Sequence, residues 1–176
     1  MISLTALILS AGWMALTALF FPSGTGGRIP APRQGFLAPD FELTTLDGQT
    51  VQLSRLQAQP VIVNFWATWC APCKAEMPAM QRVYQQYRDQ GLVILAVNAT
   101  NQDSRQAAAD FASQYNLTFS ILLDTSAEAA RQYQVRALPT TFFIDRAGNI
   151  HDVIVGGPMS EGLLRAQAEQ MLAEVP

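Results

Sequence analysis

Cysteine and histidine are scarce in this chain of 176 residues, which has two cysteines, Cys70 and Cys73, and one histidine, His151. A closed tetrahedral zinc site built on the cysteine pair needs two more ligands, which carboxylates or a second chain would have to provide. A purely structural disulfide between them would close a very short loop and constrain the unfolded chain little. Basic residues are few and scattered singly, 11 Lys and Arg against 14 Asp and Glu. No cluster of them offers a nucleic-acid surface. Internal repeats and low-complexity tracts are also missing, so solenoid-like arrays are excluded.

Against that background the run Phe65-Trp66-Ala67-Thr68-Trp69-Cys70-Ala71-Pro72-Cys73-Lys74 carries the most information. It holds both cysteines, spaced C-x-x-C, where an apolar β-type run gives way to a helical pattern. Two thiols at that spacing can close a small disulfide and reopen it, a two-electron switch within four residues. A cysteine at a helix N-terminus sits among unpaired backbone N–H groups and the positive end of the helix dipole, which favours the reactive thiolate. Thiol–disulfide exchange is therefore the chemistry expected first.

Residues 2–21 carry no charged side chain and as a helix would span about 30 Å, the thickness of a bilayer core. Phe20-Phe21-Pro22 closes the run, no A-x-A cleavage pattern follows, and no cysteine is placed to receive a lipid. An uncleaved signal anchor over 1–21 is expected, with a cleaved signal peptide as the alternative. No basic side chain precedes the run, and Arg28 and Arg33 after it argue weakly for the opposite orientation. A catalytic dithiol outside the cytoplasm would meet substrates that carry disulfides, so the domain is placed there. Residues 22–37, rich in Gly and Pro, read as a flexible linker.

An ordered domain is expected over 38–176. Residues 41–53 alternate apolar and polar around Asp47-Gly48, a β-hairpin signature. Buried strands are expected over 61–66, 93–97, 119–123 and 140–144, and helices over 73–88, 103–115, 127–133 and 160–173. Pro78 should kink the first helix. Residues 145–149 form a turn into a last strand over 150–155. Such a chain builds an α/β sheet with helices on both faces, parallel in the middle and antiparallel at one edge.

Laid out in this way, residues 38–173 resemble the thioredoxin superfamily, and within it the membrane-tethered TlpA/ResA-like thiol–disulfide oxidoreductases. The resemblance rests on the segment 64–74, on Pro78, on Leu138-Pro139-Thr140-Thr141-Phe142-Phe143-Ile144-Asp145, and on the opening Ala38-Pro39-Asp40-Phe41. It implies a thioredoxin fold, a central mixed β-sheet flanked by helices, with an N-terminal β-hairpin extension and the membrane-anchor helix.

The same resemblance implies roles. Cys70 is the expected nucleophile and Cys73 the resolving thiol, with no cofactor beyond this disulfide. Pro139 is the expected cis-proline, abutting the cysteines, with the Leu138 backbone offered to an extended substrate strand. Trp69, Ala71 and Pro72 complete the substrate-binding set, whereas Trp66 is assigned to the core. Asn64 stands where many thioredoxins carry a buried proton-accepting aspartate. Glu76 is therefore the candidate to raise the thiol pKa values and to take the resolving proton from Cys73. Implied partners are disulfide-containing client proteins, apocytochrome c among them, and a membrane-embedded thiol carrier as electron donor. Oxidising or isomerising exchange, a non-catalytic binding module and a peroxiredoxin-type peroxidase are the alternatives. The peroxidase motif P-x-x-x-T-x-x-C has Ala67 in place of its threonine.

Overall fold

The computed structural model describes residues 29–56 and 58–173. The expected anchor over 1–21 lies outside the described residues. Among the described residues no helix is long and apolar enough to cross a membrane.

Seven strands form one sheet: β1 (Glu42–Thr45), β2 (Thr50–Gln52), β3 (Val61–Trp66), β4 (Val93–Asn98), β5 (Ser120–Leu123), β6 (Thr140–Ile144) and β7 (Ile150–Val155), in the order β2-β1-β5-β4-β3-β6-β7. Strands β3, β4 and β5 are parallel, and β6 and β7 continue antiparallel from β3. The hairpin β1–β2 turns at Gly48, whose φ of 86° suits the residue without a Cβ. It joins the sheet itself, β1 pairing antiparallel with β5 through Thr44 and Leu123. Antiparallel pairing therefore borders the parallel centre on both sides, not at one edge as expected. The physical reason is that β5 has an open edge, which the hairpin covers.

Among the described residues three α-helices connect strands, α1 (Ala71–Tyr87), α2 (Arg105–Gln114) and α3 (Glu128–Gln132), and a fourth, α4 (Glu161–Ala173), follows β7. The alternation of Ile62, Asn64 and Trp66 against Val61, Val63 and Phe65 sends side chains to opposite faces of β3. On one face Ile62 and Trp66 pack with Met77, Met80 and Val83 of α1, Phe111 of α2 and Leu164, Ala168 and Met171 of α4. On the other, Val63 and Phe65 pack with Phe41, Leu95, Ala129 of α3, Tyr133 and Phe142. Pro78 stands inside α1, where it has no N–H to donate to the Lys74 carbonyl; helical backbone continues on both sides. Ser104 caps α2 by accepting the Ala107 N–H at 3.0 Å.

Part of the segment expected as linker is held to the domain. The Ala31 N–H donates to the Leu37 carbonyl, Gly35 N–H to Ile150, and Ala38 N–H to Gly148. Backbone groups that would otherwise face water are paired with the β6–β7 turn, so the pinned chain begins near Pro30.

Tyr133 ties the second core to this opening segment. Its ring meets Phe41, Phe65 and Phe142 at centroid distances of 5.8, 5.4 and 4.8 Å, and its hydroxyl donates to the Pro39 carbonyl at 2.7 Å. Burial and the nearby Asp40 charge push the phenol upward, which keeps it a donor. Tyr133→Phe is expected to leave the Pro39 carbonyl short of a partner and to lower unfolding free energy by about 1 kcal/mol, read from urea denaturation.

Candidate active site

Strand β3 ends at Trp66, and five residues later, at Ala71, the chain begins α1. Pro72 lies in the first turn, where a missing N–H costs nothing. Cys70 is the N-cap: its backbone is extended and its Sγ accepts the Cys73 N–H at 3.3 Å. The two sulfurs are bonded to each other, with Cα atoms 5.3 Å apart. Cys70 keeps 5 % of its surface exposed and Cys73 none. Only the first cysteine therefore presents surface to an incoming sulfur. Ala71 and Lys74 are exposed beside it, and Trp69 is 56 % exposed, its ring N–H donating to the Gln102 carbonyl at 3.1 Å. Trp66 is wholly buried, 4.8 Å from Phe111 between ring centroids, as expected of a core residue.

The Leu138–Pro139 peptide bond is cis, and the Pro139 carbonyl accepts the Gly156 N–H at 2.8 Å. Leu138 is half-buried in front of it. The Gly157–Pro158 bond is cis as well, a feature to which nothing in the sequence pointed.

Glu76 is fully buried. It follows Cys73 by three positions on α1, which puts the two on one face of the helix. Its Oε1 accepts from Asn64 Nδ2 at 2.9 Å and its Oε2 from the Met159 N–H at 3.1 Å. Burial raises its pKa above the ordinary glutamate range, although both donors pull the other way. A carboxyl in that state holds its proton more readily than a solvated glutamate does. Gly157 closes the pocket. A Cβ there would stand 2.7 Å from both Glu76 Oε2 and Pro139 Cγ, so the backbone can approach only as glycine.

Four contributors were not singled out in the sequence: Asp103, Thr141, Gly157 and Met159. Asp103 holds the loop before Cys70 in place. Its Oδ2 accepts the Thr68 N–H at 2.7 Å and Asn98 Nδ2 at 3.0 Å, and its Oδ1 accepts the Thr68 hydroxyl at 2.8 Å and its neighbour Ser104's N–H at 2.9 Å. Burial works to raise its pKa, but these donors outweigh it and hold the carboxyl below its usual 3.8. The only sequence signal was an acidic residue ahead of an N-cap serine, which reads equally well as a turn. His151 lies on the edge strand β7 beside Gln170, away from the dithiol.

A sheet with this strand order, a C-x-x-C pair opening a helix and a cis-proline leading the neighbouring strand define a thioredoxin-like thiol–disulfide oxidoreductase. The chain belongs to the AhpC/TSA family, whose model matches residues 35–153. It is 41 % identical over 131 residues to the thiol-disulfide oxidoreductase ResA of Geobacillus kaustophilus, covering 74 % of each chain. It is 43 % identical over 125 residues to the thioredoxin-like protein YneN of Bacillus subtilis, covering 70 % of this chain and 72 % of that one. Among solved structures, a thiol:disulfide interchange protein of the thioredoxin family from Chlorobium tepidum superposes with TM-score 0.69 at 28 % identity, over 82 % of this chain and all of that one. StoA from Bacillus subtilis superposes with TM-score 0.65 at 30 % identity, over 73 % and 96 %.

Asp103→Ala is expected to strand the Thr68 donors and lower stability by about 1–2 kcal/mol at pH 7. Because the folded pKa lies below 3.8, the ionised carboxylate stabilises above that value and loses its effect as pH falls through the lower folded one. The gap between wild type and variant in urea denaturation should therefore close in acid.

Proposed function

We propose that the protein is an extracytoplasmic disulfide reductase whose redox group is the Cys70–Cys73 pair itself, with no further cofactor. In the reduced enzyme the Cys70 thiolate attacks one sulfur of a client disulfide. A mixed disulfide forms and one client sulfur leaves as thiolate. Cys73 then passes its proton to Glu76 and attacks Cys70 Sγ, which restores the Cys70–Cys73 bond and releases the second client sulfur. Two electrons have moved from enzyme to client, and a membrane-embedded dithiol carrier returns them. The client strand docks along Leu138 and Pro139, over Trp69, Ala71 and Pro72.

The single observation that carries the direction is Glu76. An oxidant of this kind works because its thiolate form is strongly stabilised. Here the helix N-terminus favours thiolate, but a buried carboxylate one turn behind Cys73 disfavours a second negative charge and weakens the reduced state. A weaker reduced state means a stronger reductant. The peroxidase alternative has no comparable support, since Ala67 presents a buried methyl where that motif has a hydroxyl.

The resemblance to TlpA/ResA-like proteins supports apocytochrome c as a client, because its haem-attachment C-x-x-C-H must be reduced before ligation. The uncharged run over 2–21 supports a membrane anchor that holds the domain outside the cytoplasm.

The test is the equilibrium reduction potential of the purified protein against dithiothreitol or glutathione buffers. A value at or below about −220 mV is expected, and one near −120 mV overturns the reductase assignment. Cys73→Ser should accumulate a client mixed disulfide on non-reducing gels, and Cys70→Ser should abolish exchange; a Cys70→Ser protein with full activity would point to a binding module instead.

A further inference from the structure

We propose that Asn64 is a positioning residue of the dithiol site, which aims the Glu76 carboxyl at the 156–159 loop and holds it available as an anion. The inference deepens the proton-acceptor reading of Glu76 and rests on it for its functional consequence.

Asn64 sits at the centre of β3, fully buried, paired in register with Thr141 of β6. Both hydrogens of its amide nitrogen are used. One goes to Glu76 Oε1 at 2.9 Å and the other to Thr141 Oγ1 at 2.9 Å. The amide oxygen is buried and finds no partner among the described residues. An orphaned buried carbonyl is costly, and the opposite orientation would place that oxygen against a carboxylate. With Nδ2 turned toward Glu76 and Thr141 the amide donates to the carboxyl, a contact that an ionised carboxyl accepts more strongly than a neutral one.

Three groups on two elements fix the carboxyl: Asn64 from β3, and from the loop the Met159 N–H and Gly157, where any side chain would collide with Oε2. Thr141 anchors the amide from β6. The groups facing the carboxyl carry no charge in the oxidised protein. Cys70 and Cys73 are joined, Asn64 and Thr141 are neutral, and the loop offers backbone. On α4, Glu161 pairs with Arg82 and Arg165 at the surface. Burial therefore opposes ionisation, and the donated hydrogen bonds are what counter it.

The test uses the full oxidised chain with 13C-carboxyl-labelled glutamate, Glu76 being assigned by loss of its signal in Glu76→Gln. Asn64→Leu, close in volume but without a donor, should raise the Glu76 titration midpoint by about one pH unit or more. Asn64→Asp should raise it as well, because two adjacent carboxyls cannot both ionise easily. An unmoved midpoint in folded Asn64→Leu overturns the proposal. Should that variant not fold, an unmoved, independent Glu76 titration in Asn64→Asp overturns it equally. The readout does not depend on turnover. A shifted midpoint with an exchange rate indifferent to Glu76→Gln would sustain the role of Asn64 and overturn that of Glu76 in catalysis. A pH–rate profile that moves upward with the midpoint in Asn64→Leu supports both.

Discussion

Strand β3 is hydrogen-bonded along both edges, to β4 and β6, and all six of its residues are buried. A strand held in that way resists slipping, since a one-residue shift would exchange the side chains fitted to one core for those fitted to the other. Its end point therefore fixes where the chain emerges from the sheet, and Cys70 follows four residues later at the start of α1. The cis Leu138–Pro139 bond leads directly into the neighbour β6, whose Thr140 pairs with Phe65 near the end of β3, so the register of the two strands fixes the proline's place relative to the segment that carries the cysteines. The dithiol has no independent scaffold. It inherits its position from the sheet.

Two electrostatic influences meet at that position. The unpaired N–H groups opening α1 favour a thiolate on Cys70, and the Cys73 N–H is already directed at its sulfur. In the reading proposed above, the buried Glu76 works against added negative charge from behind, and the balance between the two influences sets how readily the dithiol gives up its electrons. Asp103 acts differently. Fully engaged by Thr68, Asn98 and Ser104, it is a structural anion that shapes the loop and does not share the proton chemistry.

Much of this was legible in the chain. The apolar run at 61–66, broken only by Asn64, and the β-branched and aromatic run at 140–144 matched strands with the expected limits, because a strand buried on both faces leaves little room for polar residues. Asp47-Gly48 announced its turn through the need for positive φ. The cysteine spacing and Pro139 marked the site. The pinning of residues 30–37 was not legible, since Gly and Pro composition says that a segment lacks periodicity, not whether its backbone finds partners. Nor was the docking of β1 on β5, which requires knowing which edge is open.

Local chemistry is what the sequence determined by itself: a two-cysteine switch at a strand-to-helix junction, and helices and strands from their periodicities. Those features depend on residues adjacent in the chain or one turn apart. The tertiary structure decided what surrounds the switch. Asn64 reaches Thr141 across 77 positions, Glu76 reaches Met159 across 83, and Asp103 reaches Thr68 across 35. No local pattern encodes such pairings, because each forms only when packing removes the alternative partner, water, and leaves one polar group to answer another.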